Sequence, residues 1–316
     1  INGITSYIMN NGDMLNKGFS ISLNGYPVKT KNFRWYMSTY YSVNLNKVQT
    51  DDARNYNLND YLNGTAVVSG QPISTFYSYK FLGLNPQNGA PMFDDWEDRW
   101  HLLQGKTLDE VVPMILVNSG TRDPKFSGDL NNTFTYKNWS LSLNFSYSLG
   151  SKVRLFEMYG PIINGISAAA NVREEFLDRW QVPGDEKYTV YPLIISPSSP
   201  DYEHYRLHYS APQRAVGPNS GVPAFANNVW QMYDDSDLRV VSGNYLKLQS
   251  LSFSYRLNDR LLRKTPFTQL SISFNTHNCF TISAKELRGQ DPSQAGFADA
   301  GLSIRPSYTI GLNVSF

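Results

Sequence analysis

Apolar and polar residues alternate strictly along several segments of this chain. The clearest segment is WSLSLNFSYSL, residues 139–149, in which every odd position is apolar and every even position is Ser or Asn. A period of two predicts a β-strand with two different faces, because successive side chains of a strand point to opposite sides. The sequence therefore predicts a long strand here, with one apolar face and one small, neutral Ser/Asn face.

The same alternation recurs along the rest of the chain. Regular examples are FSISLN (19–24), FRWYMSTYYSVNL (33–45), LSFSYRL (251–257), LSISFNTHN (270–278) and YTIGLNVSF (308–316). Less regular examples are ISTFYSYKF (73–81) and KFSGDLNNTFTY (125–136). Together these segments predict an all-β protein with about eight strands.

The predicted strands are joined by short turns at some positions and by long segments at others. Short turns are expected at 29–32 and 137–138, and a slightly longer one at 258–266. Long segments rich in Pro, Gly, Asn, Asp and Tyr occupy roughly 46–72, 83–124, 150–243 and 279–306. Loops of this length are uncommon in compact soluble domains, whereas short turns opposite long loops are typical of outer-membrane barrels.

Strand length and face chemistry favour a membrane barrel over a soluble sheet. Eleven residues at about 3.3 Å each extend roughly 36 Å, and a tilt of about 45° reduces this to roughly 25 Å, the height of a barrel's apolar band. In this interpretation the apolar face contacts lipid and the Ser/Asn face contacts a wet lumen. A soluble β-sandwich or lectin stays open as an alternative, although its outer face would normally carry Lys and Glu.

Composition excludes one class of partner and leaves both architectures open. The 28 basic and 27 acidic residues nearly cancel, so the chain lacks the basic excess of a nucleic-acid-binding protein. Aromatic residues make up 14% of the chain, which suits aromatic belts but also lectin-like sandwiches. No run of 18 apolar residues occurs, so no transmembrane helix is predicted, and the single cysteine, Cys279, excludes an internal disulfide.

Longer motifs follow one another in a fixed order. They are NNGDMLNKGFSISLNGYPVKTKNFRW, GQPISTFYSYKFLGLNPQNGAPMF, DPKFSGDLNNTFTYKNWSLSLNFSYSLGSKV, LDRWQVPGD, SGNYLKLQSLSFSYRL and HNCFTISAKELRGQDP. With the final strand ending in Phe, this series resembles the C-terminal part of the SusC/RagA family of TonB-dependent outer-membrane transporters of Bacteroidetes. Asn85 stands where the family usually has Asp, and Asp129 stands where a second Gly is common. The colinear order, from about residue 10 to 316, carries the resemblance.

The resemblance implies a particular architecture. Residues 1–316 would form the C-terminal portion of an antiparallel transmembrane β-barrel, about 8 of 22 strands, with long extracellular loops containing a short helix. Because the chain opens at Ile1 without an initiator Met, we expect that the signal peptide, the N-terminal plug and the remaining barrel strands lie upstream.

The resemblance also implies a function and its partners. The family imports oligomeric nutrients, glycans and sometimes peptides, across the cell outer membrane without changing them covalently. It works with a SusD-like lipoprotein over the barrel mouth, with TonB as the energy source and with the barrel-assembly machinery for insertion. A soluble carbohydrate-binding β-sandwich and a plugless barrel adhesin or porin stay open as other classes.

The sequence offers no catalytic, cofactor-binding or metal constellation. The four histidines lack metal-ligand spacing, and neither a nucleophile elbow nor a Walker motif occurs. The acidic stretch FDDWEDRW (93–100) lacks the spacing of a calcium loop and predicts a solvated loop or helical turn. We therefore expect a protein that is not an enzyme.

Aromatic residues in the long loops are the candidate contacts with cargo or partner. They are Trp96, Trp100, Tyr202, Tyr205, Tyr209 and Trp230. Aromatic and hydrogen-bonding groups together suit an oligosaccharide, a peptide or a protein surface equally well. Trp96 and Trp100, four residues apart, would share a helix face, and packing of the loop is the other interpretation of this pair.

Two further features are interpreted from local pattern. Residues 171–181 predict a short helix with Asn171 as N-cap and Phe176, Leu177 and Trp180 as the face that docks the loop. Phe316 closes the last predicted strand on its apolar side. It resembles the terminal aromatic residue that the barrel-assembly machinery reads.

Overall fold

The computed structural model describes residues 12–51, 56–94, 96, 99–103, 106–160, 172–194, 229–294 and 305–316. The chain divides into two compact units. The loop unit comprises Ile1–Leu15, Asn46–Arg122 and Arg154–Val241. The sheet unit comprises Asn16–Leu45, Asp123–Val153 and Ser242–Phe316.

Strands dominate the described residues. They are β1 (Gly12–Lys29), β2 (Phe33–Asp51), β3 (Thr75–Tyr79), β4 (Phe81–Leu84), β5 (Pro91–Phe93), β6 (Leu116–Thr121), β7 (Phe126–Tyr136), β8 (Trp139–Leu149), β9 (Lys152–Arg154), β10 (Val240–Ser242), β11 (Tyr245–Arg256), β12 (Gln269–Ser283) and β13 (Ser307–Ser315). The helices are short: α1 (Leu58–Asn63), α2 (Leu108–Ile115), α3 (Val229–Asp234) and α4 (Asp259–Leu262). Among the described residues, no helix is long and apolar enough to cross a membrane.

Within the described part of the chain, seven strands form one antiparallel sheet in the order β1-β2-β7-β8-β11-β12-β13. The predicted strand at 139–149 coincides with β8, and the alternation keeps each face uniform because the register pairs like with like. Ser142, for example, lies opposite Thr133 and Ser252, whereas Leu143 lies opposite Leu251. The regular alternation therefore predicted this sheet correctly.

Two details of the predicted strands are wrong. The segment at 73–81 is not an eighth strand of the sheet, because β3 pairs with β6 in a separate two-stranded sheet. All five residues of β3 are buried, so it has no exposed face to set a period of two. The long connections are also shorter than expected, since β2 extends to Asp51 and β12 to Ser283.

The connections of the sheet confirm the predicted asymmetry. Turns of a few residues join β1 to β2 and β7 to β8, and the α4 turn joins β11 to β12. The connections from β2 to β7, from β8 to β11 and from β12 to β13 are much longer and leave from the opposite strand ends. We call the two ends of the sheet the short-turn end and the long-connection end.

The loop unit has a core of its own. Helix α1 begins at a capping box, in which the Asn57 side chain accepts from the Asp60 N–H and Asp60 accepts from the Asn57 N–H, and it ends at Gly64 with φ +68°. Apolar residues of α1, α2, β3 and α3 meet in one buried cluster that includes Leu62 and Val112. The long connections are therefore packed around an aromatic-rich core instead of forming irregular loops.

Candidate functional site

The polar face of the sheet consists mainly of hydroxyl and amide groups, with a few charged residues such as Arg34, Asp129 and Arg256 among them. The hydroxyl oxygens of Thr133 and Ser142 lie 3.1 Å apart across β7 and β8, and the Ser252 hydroxyl donates to Asn275 Oδ1 over 2.6 Å across β11 and β12. These groups are neutral and satisfy one another across the strands, with capacity left for water. The face is therefore suited to a wet lumen.

The opposite face of the same sheet is apolar and exposed. Phe19, Phe253 and Ile310 lie on it, and Ile310 is 80% exposed. Asn132 also lies on this face but is buried, and its Oδ1 accepts a hydrogen bond from the Trp35 indole over 2.9 Å. An apolar surface of this extent, with its polar member covered, marks a contact with lipid or with another protein.

Aromatic residues gather on the apolar face near the short-turn end. Trp139 packs against Tyr255 and Phe253, with ring centroids 4.1 and 5.3 Å apart, and Trp35 stacks on Phe134 at 5.7 Å. Transmembrane barrels carry aromatic girdles where the apolar band meets the headgroups. This cluster defines the short-turn edge of the apolar band.

A buried ion pair joins two of the sequence motifs on the polar side of the sheet unit. Lys247 Nζ lies 2.7 Å from Asp291 Oδ2, and both side chains are almost fully buried. Asp291 also accepts from the Ser293 backbone N–H and hydroxyl. Burial opposes ionisation, but the hydrogen bonds from Lys247 and Ser293 outweigh it and lower the pKa of Asp291. The pair therefore ties the GQDP segment to β11.

Two further motifs, GLNPQNGAP and DRWQVPGD, meet in the loop unit. Gly89 has φ +66°, and a Cβ placed on it would lie 2.3 Å from the indole of Trp180. The Leu193 N–H donates to the Gly89 carbonyl over 3.2 Å, and the Trp180 N–H donates to the Tyr191 carbonyl over 2.9 Å. Glycine is required at residue 89 both by its left-handed backbone and by the ring that covers it.

The chain after Trp180 folds into a tight turn that borders an open cleft. The Asp185 carboxylate accepts from the backbone N–H groups of Gln181 and Val182 at 2.9 and 3.0 Å. The cleft has a volume of about 460 Å³, and its lining includes Leu177, which is 73% exposed, and Tyr188, which is 90% exposed. A hydrogen-bonded loop thus presents apolar and aromatic side chains to the outside, which is the chemistry of a contact surface.

A fully buried carboxylate anchors another part of the loop unit. Asp234, the last residue of α3, accepts from the backbone N–H groups of Met158, Tyr159 and Gly160, each at 2.8 Å. Burial raises the pKa of Asp234 to about 6, although the Arg239 charge and the three hydrogen bonds oppose the rise. The carboxylate fixes the chain at 158–160 to α3, which is a structural role.

Two arginines, Arg154 half-buried and Arg239 buried, bond to backbone carbonyls of the loop unit. Arg154 forms an ion pair with Asp235 and donates to the Tyr77 carbonyl over 2.6 Å. Arg239 donates to the Phe156 carbonyl over 2.6 Å. Burial raises the pKa of Asp235, although Arg154 opposes that rise. Buried guanidinium groups bonded to carbonyls stabilise a defined loop conformation.

The structure separates the two tryptophans of the acidic stretch. Trp96 has φ 61°, a left-handed conformation that no α-helix contains, so it does not share a helix face with Trp100, and that prediction is wrong. The Arg99 guanidinium lies 4.3 Å from the centre of the Trp96 ring and also pairs with Asp94. Trp96 packs against the loop core, and its contact with cargo or partner stays a prediction, as does that of Trp100.

The other predicted contacts have different outcomes. Trp230 is 4% exposed and packs in the loop core, so it is a core residue and not a surface contact. Tyr202, Tyr205 and Tyr209 lie outside the described residues. Phe316 is 83% exposed and packs edge-to-face on Phe267 at 5.2 Å, and its role as an assembly signal stays a prediction.

The predicted helix at 171–181 is present in a shorter and tighter form. Residues Glu174–Asp178 form a 3-10 helix, and Asn171 lies outside the described residues. Phe176 and Trp180 are buried as predicted, but Leu177 is exposed, because a repeat of three residues per turn rotates it away from the face of an α-helix. Leu177 is thereby available to the cleft.

Several residues that shape the site were not predicted from the sequence. Asp234, Arg239, Lys247 and Asp291 are buried charged residues, and the local sequence does not distinguish them from exposed charges. A signal was present for Gly89, since Asn-Gly marks a turn that requires a positive φ. Among the described residues, no group of three His, Cys, Asp or Glu side chains is arranged to hold a metal ion.

No protein-family model matches the chain. TonB-dependent receptor P3 of Formosa agariphila is 23% identical over 99% of this chain and 30% of the receptor, and receptor P39 of the same organism is 21% identical over 99% and 31%. The chain thus spans about three tenths of the length of these curated relatives.

Solved structures of a peptide transporter share the fold. The structure of the RagAB peptide transporter matches 96% of this chain and 30% of its own chain, with a TM-score of 0.64 at 16% identity. The RagAB peptide importer in its closed-closed state matches with a TM-score of 0.63 at 17% identity. The predicted fold class, part of an antiparallel transmembrane β-barrel, is confirmed, with seven sheet strands described where about eight were expected. The chain is thus similar in sequence to TonB-dependent receptors and in fold to the RagAB transporter, and the predicted resemblance to SusC/RagA-type transporters is confirmed, whereas the C-terminal position within such a protein stays a prediction.

Proposed function

We propose that this chain forms the C-terminal part of the wall of an outer-membrane, TonB-dependent importer of oligomeric nutrients. The observation that carries the proposal is the two-faced sheet, with an exposed apolar face, a neutral hydroxyl and amide face, and long connections at one end only. In a barrel the first face contacts lipid and the second contacts the lumen. The names of its relatives, TonB-dependent receptors and a peptide transporter, support this direction.

The proposed cargo is an oligomer, a glycan or a peptide, that crosses without covalent change. Hydroxyl groups such as those of Ser140 and Ser142 can exchange hydrogen bonds with a hydrated oligomer along the wall. Energy would come from TonB, which would act through parts of the protein outside this sequence. A SusD-like surface lipoprotein is the proposed partner at the long-connection end.

The exposed loop around the cleft is the proposed contact surface for that partner or for cargo. Leu177 and Tyr188 protrude from a loop whose backbone is fixed by Asp185 and by the Gly89–Trp180 contact. Binding to a pre-organised loop avoids the entropic cost of ordering it. Phe316 at the end of the sheet is the proposed signal for the barrel-assembly machinery.

Uptake by cells that make the full-length protein tests the proposal. We expect fluorescent oligosaccharides or peptides to accumulate in the periplasm, and we expect accumulation to stop when a protonophore collapses the gradient that drives TonB. Uptake that continues in the presence of the protonophore would indicate a plugless barrel. Recovery of the protein in the soluble fraction without detergent would indicate a β-sandwich.

The contact surface is tested with a matched pair of variants. Leu177→Ser/Tyr188→Ala removes the two protruding side chains at the cleft. Ile73→Ser/Leu82→Ser removes two exposed apolar side chains elsewhere in the loop unit. We expect the first variant to lose co-purification with the surface lipoprotein or to lose uptake, and the second to retain both. If the two variants showed the same co-purification and the same uptake, the cleft would not be the contact surface.

A further inference from the structure

The short-turn end of the sheet concentrates positive charge. The turns at this end carry six exposed basic residues, which we call the basic rim: Lys29, Lys31, Lys137, Arg260, Arg263 and Lys264. The acidic residue in these turns is Asp259. Within the part of the chain that the structure describes, no rim residue forms a salt bridge with a carboxylate. The six basic residues therefore outnumber the one acidic residue, and the rim carries a net positive charge.

The long-connection end differs in its charges. Toward that end the sheet unit has the basic residues Lys17, Lys125, Lys152, Lys285, Arg288 and Arg305 and the acidic residues Asp123, Asp129 and Glu286. Opposite charges partly cancel at that end, whereas the rim, with one acidic residue among six basic ones, produces a positive field along its length. The net charge of +1 for the whole chain conceals this difference.

The sheet topology brings the rim residues close enough to act together. In the order β1-β2-β7-β8-β11-β12, successive short turns are two strand spacings apart, which is about 10 Å. The Debye length is also about 10 Å at 0.1 M salt, so the fields of neighbouring turns add. The rim therefore presents one positive stripe and not three isolated turns.

The rim adjoins the aromatic cluster that ends the apolar face. Lys137 Nζ lies 5.4 Å from the centre of the Tyr136 ring, and Trp139 begins the next strand. Tyr255, opposite Trp139, is followed at once by the turn that carries Arg260, Arg263 and Lys264. Basic groups directly outside an aromatic belt lie at the depth of lipid headgroups.

We propose that the basic rim binds the headgroups of anionic phospholipids in the leaflet on the short-turn side of the membrane. Their phosphates supply the negative charge that the rim lacks within the described residues, and the rim is continuous with the proposed lipid-facing surface. The interaction would fix the depth and tilt of the barrel at this leaflet. It rests on the proposed membrane placement of the sheet.

Tryptophan quenching in vesicles tests this inference with the full-length protein. The protein is reconstituted in phosphatidylcholine vesicles that contain either brominated phosphatidylglycerol or brominated phosphatidylcholine. Trp139 is 43% exposed in the aromatic cluster beside the rim. The difference in fluorescence quenching between the unaltered protein and Trp139→Phe therefore reports the lipids that contact this site. We expect brominated phosphatidylglycerol to quench this component more strongly, and we expect 0.5 M salt to reduce the difference because it screens the rim.

Two charge variants separate the rim from non-specific attraction. Lys137→Gln/Arg263→Gln/Lys264→Gln removes three rim charges, and Lys17→Gln/Lys125→Gln/Lys152→Gln removes three from the other end. We expect the preference for the anionic lipid to fall at least about fivefold in the rim variant and to persist in the control. A fivefold change corresponds to the loss of roughly one basic group near a charged surface.

The other outcomes of the quenching experiment would contradict either the rim proposal or the membrane placement of the sheet. Equal quenching by both lipids, or an equal loss in both charge variants, would overturn the rim proposal and leave the membrane placement intact. Absence of quenching by either lipid would overturn both. The salt titration needs only the unaltered protein and Trp139→Phe, so it tests the proposal even if a charge variant fails to assemble.

Discussion

The contact between Gly89 and Trp180 predicts a strong energetic coupling between two distant motifs. In Gly89→Ala the new Cβ must adopt φ +66° and would lie 2.3 Å from the indole. The left-handed backbone costs roughly 1–2 kcal/mol and the overlap about 1–3 kcal/mol, so we expect about 2–5 kcal/mol in total. Trp180→Ala leaves a cavity and costs about 3–5 kcal/mol.

In the double variant the overlap has no partner, because the ring is absent. Gly89→Ala should then cost only its backbone contribution, roughly 1–2 kcal/mol, and the coupling free energy should be about 1–3 kcal/mol. Hydrogen exchange of the amides in residues 178–194 measures the free energy of local opening in the full-length protein, in each single variant and in the double variant. The four values together give the coupling free energy.

A second glycine provides the control. Gly70 also has a positive φ, +84°, but no atom lies within 4 Å of a Cβ placed there. Gly70→Ala should therefore be additive with Trp180→Ala. If the Gly89→Ala/Trp180→Ala cycle were additive as well, the packing argument for the meeting of the two motifs would be refuted.

Three further predictions follow from buried groups and close contacts. Asp234→Asn places an amide among three N–H donors and should destabilise the loop unit by about 1–3 kcal/mol. Because the folded pKa of about 6 lies above 3.8, protonation of Asp234 should stabilise the unaltered protein relative to the variant, on the order of 3 kcal/mol, as pH falls from about 6 to 4, and hydrogen exchange of both proteins across that range measures this difference. Gly128→Ala brings a Cβ to 2.1 Å from a neighbouring strand carbonyl and should lower the urea midpoint of the barrel by the equivalent of about 1–3 kcal/mol, whereas Gly25→Ala, with no atom within 4 Å, should not. Lys247→Met leaves Asp291 buried without its cation and should cost about 3–5 kcal/mol in the same assay, and a smaller loss in Lys247→Met/Asp291→Asn would attribute that cost to the stranded charge.

The sheet could be predicted from the sequence because its physics is local. In residues 139–149 the polarity of each side chain indicates the face of the sheet on which it lies, and β8 comprises the same residues. The segment at 73–81 is also a strand, as predicted, but β3 pairs with β6 and is buried on all sides, so its sequence did not show that it lies outside the seven-stranded sheet.

The loop unit could not be predicted in the same way. Asp234 is indistinguishable in sequence from a solvated loop aspartate, and its burial depends on three N–H groups that lie more than 70 residues away. Trp230 shows the same limit, since long-range packing buries it in the loop core. Contacts at such separations are set by tertiary structure and leave no local pattern.

The most direct test of the central claim measures the surroundings of each residue of β8 in a bilayer. Single cysteines at 140–146, in a Cys279→Ser background of the full-length protein, carry a nitroxide spin label whose collisions with oxygen and with a water-soluble nickel chelate are compared. The account predicts a period of two, with oxygen favoured at 141, 143 and 145 and the nickel chelate favoured at 140, 142, 144 and 146. A uniform profile, or one with the two reagents exchanged, would contradict the assignment of the apolar face to lipid and the Ser/Asn face to the lumen.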